Sequence, residues 1–77
     1  MTEDYVIYQT PRRYYRISLL IDLFGVWLVI RQWGGLDKKG YREKVSSYNS
    51  YDDALGAFKN AKRRRLARGY EQTVFKI

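Results

Sequence analysis

The stretch from Tyr14 to Gly40 constrains the fold of this chain more than any other. In its first half, apolar side chains recur at every second position: Tyr15, Ile17, Leu19, Ile21 and Leu23. A period of two is typical of a strand with one buried face. Residues 26–33 are rich in β-branched and aromatic side chains and are at first apolar on both faces. We therefore predict two long strands, the second packed against other elements on both sides.

The connection between these strands is short and contains Asp22, Leu23, Phe24 and Gly25. Glycine adopts a positive φ at little cost, so Gly25 favours a tight hairpin turn. A single aromatic residue in such a turn has two options, exposure at the tip or packing back onto the sheet. We expect Phe24 to fold back, which is the commoner arrangement for a lone aromatic residue in a turn.

The remaining elements follow from periodicity and capping signals. Residues 5–9 predict a short edge strand, residues 41–48 a third strand with an exposed basic face, and residues 70–77 a last strand or extended tail. Ser50 and Asp53 form a capping box that starts a helix, and Gly69 is a stop signal. The apolar stripe of this helix comprises Tyr51, Ala54, Leu55, Phe58, Ala61 and Leu66. We predict a single domain over residues 1–77 of the α+β class, with a small antiparallel sheet of four or so strands and one helix packed on one face.

The residue inventory argues against catalysis and against a metal centre. The 77 residues include no Cys and no His, so the commonest general base and the commonest transition-metal ligands are missing. Helix capping explains the adjacent carboxylates of Asp52 and Asp53. We expect no enzyme activity, no metal, no cofactor and no small-molecule substrate. The N-terminus resembles no signal peptide, and no segment is long enough to span a membrane, so we expect a cytoplasmic protein.

The net charge of +7 is high for so short a chain. A cationic surface can serve solubility alone, or it can bind a polyanion such as nucleic acid. Six cations fall within ten residues of the predicted helix, with no acidic residue between them: Lys59, Lys62, Arg63, Arg64, Arg65 and Arg68. Compensation of the helix dipole explains two or three of them, and like charges this dense repel one another. The cluster therefore favours an anionic partner.

Trp33 is the second candidate for binding. It is either a core residue or an exposed platform on which a base or sugar stacks. Arg31 lies two positions earlier and points to the same face, and Arg42 and Lys44 share one face of the next strand. If these faces adjoin, they form one basic patch around Trp33, which Arg12, Arg13 and Arg16 extend. The alternative is a set of scattered surface charges. We expect Trp27 to lie in the core.

Four features in order give the chain a family resemblance. They are Arg13-Tyr14-Tyr15-Arg16, Asp22-Leu23-Phe24-Gly25, Trp33-Gly34-x-Leu36, and a basic helix that ends in Arg68-Gly69-Tyr70. Together they resemble the WGR domain over residues 5–72, and in particular the short free-standing WGR proteins of bacteria. The chain departs from the family pattern at two positions. Gly35 replaces the arginine that names the family, and Asp37 replaces a glycine, whereas Gly40 keeps the second loop glycine.

The resemblance implies the predicted fold and a role in binding DNA. In DNA-dependent poly(ADP-ribose) polymerases this motif meets a DNA end or break, and its Trp packs on a sugar. Carried to this chain, the motif implies contacts from Trp33 and Gly34, with Lys38 and Lys39 in place of the missing arginine. Our candidate nucleic-acid-binding residues are Trp33, Gly34, Arg31, Lys38, Lys39, Arg42, Lys44, Lys62, Arg63 and Arg64. The partner is then DNA rather than RNA; the alternatives are an acidic protein docking on the same face and, least favoured, an anionic membrane surface.

Overall fold

The computed structural model describes residues 4–76, and the side chains of residues 4–73, as an antiparallel sheet with one helix on it. The elements are β1 (Asp4–Gln9), β2 (Arg13–Ile21), β3 (Trp27–Gly35), β4 (Arg42–Tyr48), α1 (Tyr51–Ala67) and β5 (Glu71–Lys76). The strand order is β4-β3-β2-β1-β5, and every pairing is antiparallel. The predicted α+β class is confirmed, with five strands instead of four or so.

The β2–β3 hairpin is the central unit, as predicted, but its tip differs from the prediction. Gly25 has a φ of +79°, and the Asp22 carboxylate accepts hydrogen bonds from the backbone N–H groups of Phe24 and Val26 at 2.8 and 2.9 Å. The prediction that Phe24 folds back is wrong, because its side chain is 90% exposed and that of Leu23 is 88% exposed. The carboxylate fixes a turn so tight that both side chains point away from the sheet.

The first strand is internal rather than an edge strand. β1 pairs with β2 on one side and with β5 on the other. Residues 71–76, predicted as a strand or a tail, therefore form a strand that covers the outer side of β1. This pairing could not be read from residues 5–9, because nothing in their local sequence specifies a second neighbour. The edges of the sheet are β4 and β5.

The core lies between α1 and one face of the sheet, which we call the helix-side face. Its buried residues are Val6, Tyr8, Tyr15, Ile17, Leu19 and Val29 from the sheet, with Ala54, Phe58 and Ala61 from the helix. Ser50 caps the helix as predicted, since its Oγ accepts a hydrogen bond from the N–H of Asp53 at 3.2 Å. Gly69, with a φ of +85°, follows the helix end. No helix within residues 4–76 has the length and apolar character needed to cross a bilayer.

Two parts of the predicted core are wrong. Leu66 is 55% exposed, and Arg65 takes its place because it lies four residues after Ala61 on the face of α1 that meets the sheet. The opposite side of the sheet, which we call the open face, carries Leu28 and Ile30. Among residues 4–76 no helix covers it, so β3 is packed on one side and not on both.

Candidate nucleic-acid interface

Trp33 lies in a row of side chains that crosses the helix-side face. Its cross-strand neighbours are Tyr15 on β2 and Arg42 on β4. The rings of Trp33 and Tyr15 are stacked, with 5.5 Å between centroids and 9° between planes. One face of the indole is thus occupied by protein, and a ligand has to stack on the side of Arg42. Trp33 is half-buried: it packs against the core, as one of the two alternatives from the sequence expects, and part of its surface stays accessible.

Arg65 fixes the position of this aromatic row from the helix. Its guanidinium carbon lies 4.2 Å from the centroid of the Tyr15 ring and 5.3 Å from that of Tyr70. Tyr15 and Tyr70 also meet edge to face, at 6.3 Å. A cation held over two aromatic rings stabilises their arrangement and is itself only partly exposed. Arg65 therefore packs on the aromatic row from the side of α1 and is not available as a free surface charge.

A second row of the same face is cationic. Arg31 and Lys44 are directly opposite each other across β3 and β4, next to the Trp33–Arg42 pair. The sheet register thus brings together Arg31, Trp33, Arg42 and Lys44, as the sequence predicted on the condition that their faces adjoin. A cleft of about 190 Å³ separates this part of the sheet from α1. Its polar lining comprises Arg31, Ser46, Tyr48, Asn60 and Arg64.

Gly34 serves the packing of the chain itself. A Cβ at this position would come within 3.3 Å of the Gly40 carbonyl oxygen and within 3.3 Å of a Tyr14 ring carbon. Neither Gly34 nor Gly35 has a positive φ, and both belong to β3. The space in front of Gly34 is therefore filled by the chain's own loop and by Tyr14.

Gly35 has two basic neighbours and one acidic neighbour, the Asp37 carboxylate, whose Oδ1 lies 3.4 Å from the place of a Cβ at Gly35. The Cγ and Cδ atoms of Lys38 lie 3.3 and 3.4 Å from the place of a Cβ at Gly35. On the other side, Arg13 of β2 is directly opposite Gly35, so both positions belong to the helix-side face that carries Trp33. From the sequence we predicted that Arg13 extends the basic patch, but we did not place it among the candidate binding residues. Its signal was its position relative to Gly35, which is visible only once the β2–β3 register is known.

The other predicted cations are distributed around this patch. Lys39 is exposed in the β3–β4 loop, and Arg63 is exposed on α1, where it donates a hydrogen bond to Asn60. The ammonium of Lys62 lies 5.3 Å from the Phe58 ring centroid. Consecutive helical residues are about 100° apart, so Lys62 and Arg64 are about 200° apart around α1. Lys62 is therefore on the flank of α1 away from the cleft that Arg64 lines. The structure therefore separates Lys62 from the sheet cations.

Arg16 does not extend the patch as predicted. It alternates with Tyr15 and Ile17, and so it lies on the open face. There its guanidinium carbon is 4.3 Å from the centroid of the Tyr5 ring, and its Nε donates to the Ser18 hydroxyl at 3.2 Å. The period of two that identified β2 also places Arg16 on the side opposite Trp33.

Lys and Arg residues are concentrated at the end of the β2–β3 hairpin that carries Trp33, and the end with the hairpin tip has none. Residues 17–30 and 45–58 contain no Lys or Arg. They form the hairpin tip with the adjoining parts of β2 and β3, the second half of β4 and the first turns of α1. Trp27 and Tyr51 meet edge to face at this end, with 4.8 Å between ring centroids. Trp27 was predicted to lie in the core; it is half-buried and packs against the core without belonging to its buried residues. The cationic end around Trp33 is about 20 Å away along β3.

The chain matches one known protein family. The family model of the WGR domain matches residues 3–76, which is nearly the whole chain. No curated protein matches the chain by sequence. WGR domains are of the nucleic-acid-binding type and are generally non-catalytic. The fold, the position of Trp33 and the extent of this match lead to one conclusion: the chain belongs to the WGR-domain family.

Proposed function

We propose that this protein is a non-catalytic module that binds the backbone of DNA through the helix-side face around Trp33. The observation that carries the proposal is the sheet register, which places Arg31, Lys44 and Arg42 in two adjoining rows with the half-buried Trp33. Phosphate contacts from Lys and Arg provide affinity without reading sequence, and an aromatic ring adds stacking on a sugar or base. DNA is preferred to RNA because of the family resemblance.

In this proposal, two neighbouring residues take over the contact that the family's arginine would make from position 35. Arg13 is the cross-strand partner of Gly35 and offers a planar guanidinium that can contact a phosphate with two hydrogen bonds. The side-chain stem of Lys38 lies beside Gly35, and its ammonium group adds a point charge. Lys39 of the loop and Arg63 and Arg64 of α1 extend the cationic surface on either side. We place this activity in the cytoplasm, since a chain without cysteine suits a reducing compartment.

Fluorescence anisotropy with labelled nucleic acids tests the proposal. We would compare blunt duplex DNA, nicked duplex DNA, single-stranded DNA and duplex RNA at low and near-physiological salt. Affinity should fall steeply with salt, and the preference for DNA ends or nicks should survive at the higher salt. Weak binding that ignores structure and disappears with heparin would contradict the proposal.

Matched variants separate binding from folding in this experiment. Trp33→Ala should weaken binding more than Trp27→Phe, which changes an aromatic residue at the other end of β3. Because Trp33 packs on Tyr15, circular dichroism must show that the variant is folded. The double variant Arg42→Ala/Lys44→Ala changes two exposed side chains only. It should reduce the slope of log affinity against log salt concentration by about two, one for each lost phosphate contact.

A second candidate is docking of an acidic protein on the same face. The observation that favours it is Tyr41, which is 61% exposed immediately before Arg42. Tyr and Arg are enriched among residues that dominate protein interfaces. This function predicts binding of acidic polypeptides, with affinity for nucleic acid no greater than for any other polyanion.

A further inference from the structure

The two edges of the sheet differ in how well they are protected from further pairing. On the β5 side, the register between β1 and β5 shifts at Ile7 and Tyr8, and such an irregularity disfavours addition of another strand. On the other side, β4 pairs with β3 without interruption from Arg42 to Tyr48. β4 contains neither proline nor glycine, and it has a neighbour on one side only. β4 is therefore the edge able to accept another strand.

The sequence of β4 is complementary to itself. If two copies pair antiparallel over all seven residues, Val45 lies opposite Val45 of the second copy at the two-fold axis. Arg42 then faces Tyr48, Glu43 faces Ser47, and Lys44 faces Ser46. No two like charges are directly opposite each other, although the strand has three charged residues. Charged side chains usually protect an edge strand, but in this register they do not oppose the pairing.

The open face adds an apolar contact to this pairing. Val45 is 51% exposed and is the cross-strand neighbour of Ile30. Pairing at the two-fold axis creates a continuous row of four β-branched residues, Ile30 and Val45 from each copy. Such rows are the pairs that stabilise neighbouring strands. The exposed Val45 side chain, which has Ile30 on its inner side, thus gains a second apolar neighbour on its outer side.

We infer that the protein forms a weak symmetric dimer through the β4 edges, which joins two five-stranded sheets into one. The inference rests on the fold and not on the proposed function. Residues directly opposite in a sheet share a face, so both helices lie on the same side of the joined sheet. Lys44 of the second copy then lies opposite Ser46, which lines the cleft beside Arg31 and Arg64. Each copy thus adds a cation to the rim of the other's cleft.

Charge substitutions at the two-fold axis test the inference by sedimentation equilibrium. Val45→Lys and Val45→Glu each place like charges opposite each other, and each should weaken self-association about ten-fold. An equimolar mixture of the two variants should restore association as a heterodimer, because the charges are then opposite. Ser47→Lys is the matched control on the same face, since its lysine faces Glu43 of the second copy and should leave association unchanged or strengthen it.

The response to salt distinguishes self-association of the protein from its binding to nucleic acid. The two Lys44 residues are diagonal neighbours about 7–8 Å apart in the dimer, so added salt should strengthen self-association while it weakens binding to DNA. Circular dichroism verifies that each variant is folded. A wild-type protein that stays monomeric at every concentration overturns the inference, and so does a dimer that Val45→Lys leaves intact. Failure of DNA binding with an intact dimer overturns only the proposed function.

Discussion

Arg13 and Gly35 lie directly opposite each other across β2 and β3, on the face that carries Trp33. The family pattern has arginine at the position of Gly35, and in the proposed function Arg13 takes its part from the neighbouring strand. β2 begins at Arg13 and β3 ends at Gly35, and Arg13 is exposed. This assignment of Arg13 can be tested directly.

Arg13→Ala should weaken DNA binding about ten-fold, and Gly35→Arg should restore most of that loss in the double variant. The reason is that an arginine at residue 35 reaches the same face, and its backbone needs no positive φ. Its Cβ displaces the flexible stem of Lys38 by a few tenths of an ångström. Anisotropy measures the affinities, with Arg16→Ala as the control on the open face. An effect of Arg16→Ala equal to that of Arg13→Ala would refute the assignment.

The hydroxyl of Tyr8 offers a test of the core. Tyr8 is fully buried, and its Oη has no hydrogen-bond partner among the residues that the structure describes. An unpaired buried hydroxyl costs stability, so Tyr8→Phe should raise the free energy of unfolding by about 1 kcal/mol. Urea denaturation measures this change, and Tyr41→Phe is the control at an exposed tyrosine. A loss of stability in Tyr8→Phe would show that the hydroxyl has a partner.

The same residue predicts a change at alkaline pH. Burial raises the pKa of Tyr8 above its ordinary value of 10.0. Above pH 10.0 the unfolded chain loses this proton while the folded chain keeps it, so stability should decrease as the pH rises from 10.0 through the raised pKa. Below pH 10.0 the contribution is complete and constant. Thermal melts at pH 8 and above pH 10 should therefore differ more in the wild type than in Tyr8→Phe.

The hairpin tip should tolerate substitution. Phe24→Ser should change the free energy of unfolding by less than about 0.5 kcal/mol, because the side chain is already in water. Asp22→Ala should destabilise the protein, since its carboxylate accepts two backbone hydrogen bonds of the turn. Chemical denaturation of both variants measures the difference. If Phe24→Ser is the more destabilising change, the ring folds back onto the sheet after all.

Two glycines should respond to alanine in opposite ways. Gly56 lies inside α1, and a Cβ there would meet no atom within 4 Å, so Gly56→Ala should stabilise the protein by about 0.5–1 kcal/mol. Gly34→Ala should destabilise it, because the added Cβ is held between the Gly40 carbonyl oxygen and the Tyr14 ring. Thermal denaturation compares the two. A stabilised Gly34→Ala variant would mean that the loop moves away easily.

The sequence by itself determined the elements of this protein. The period of two predicts β2, the capping box predicts the start of α1 at Ser50, and Gly25 predicts the hairpin turn. These signals depend on neighbours a few residues away, so they can be read without knowing the fold. Trp33 and Arg31 were also predicted to share a face for this reason, and the register confirms it.

Only the tertiary structure decided which residues meet. The pairing of β1 with β5, the register that sets Arg13 against Gly35, and the rotation of α1 that packs Arg65 on Tyr15 depend on segments far apart in the chain. A shift of one residue in a strand would move each side chain to the other face, and local sequence alone does not exclude such shifts. One register is selected because it buries the apolar side chains of the sheet against those of α1. The same register brings the basic residues together around Trp33.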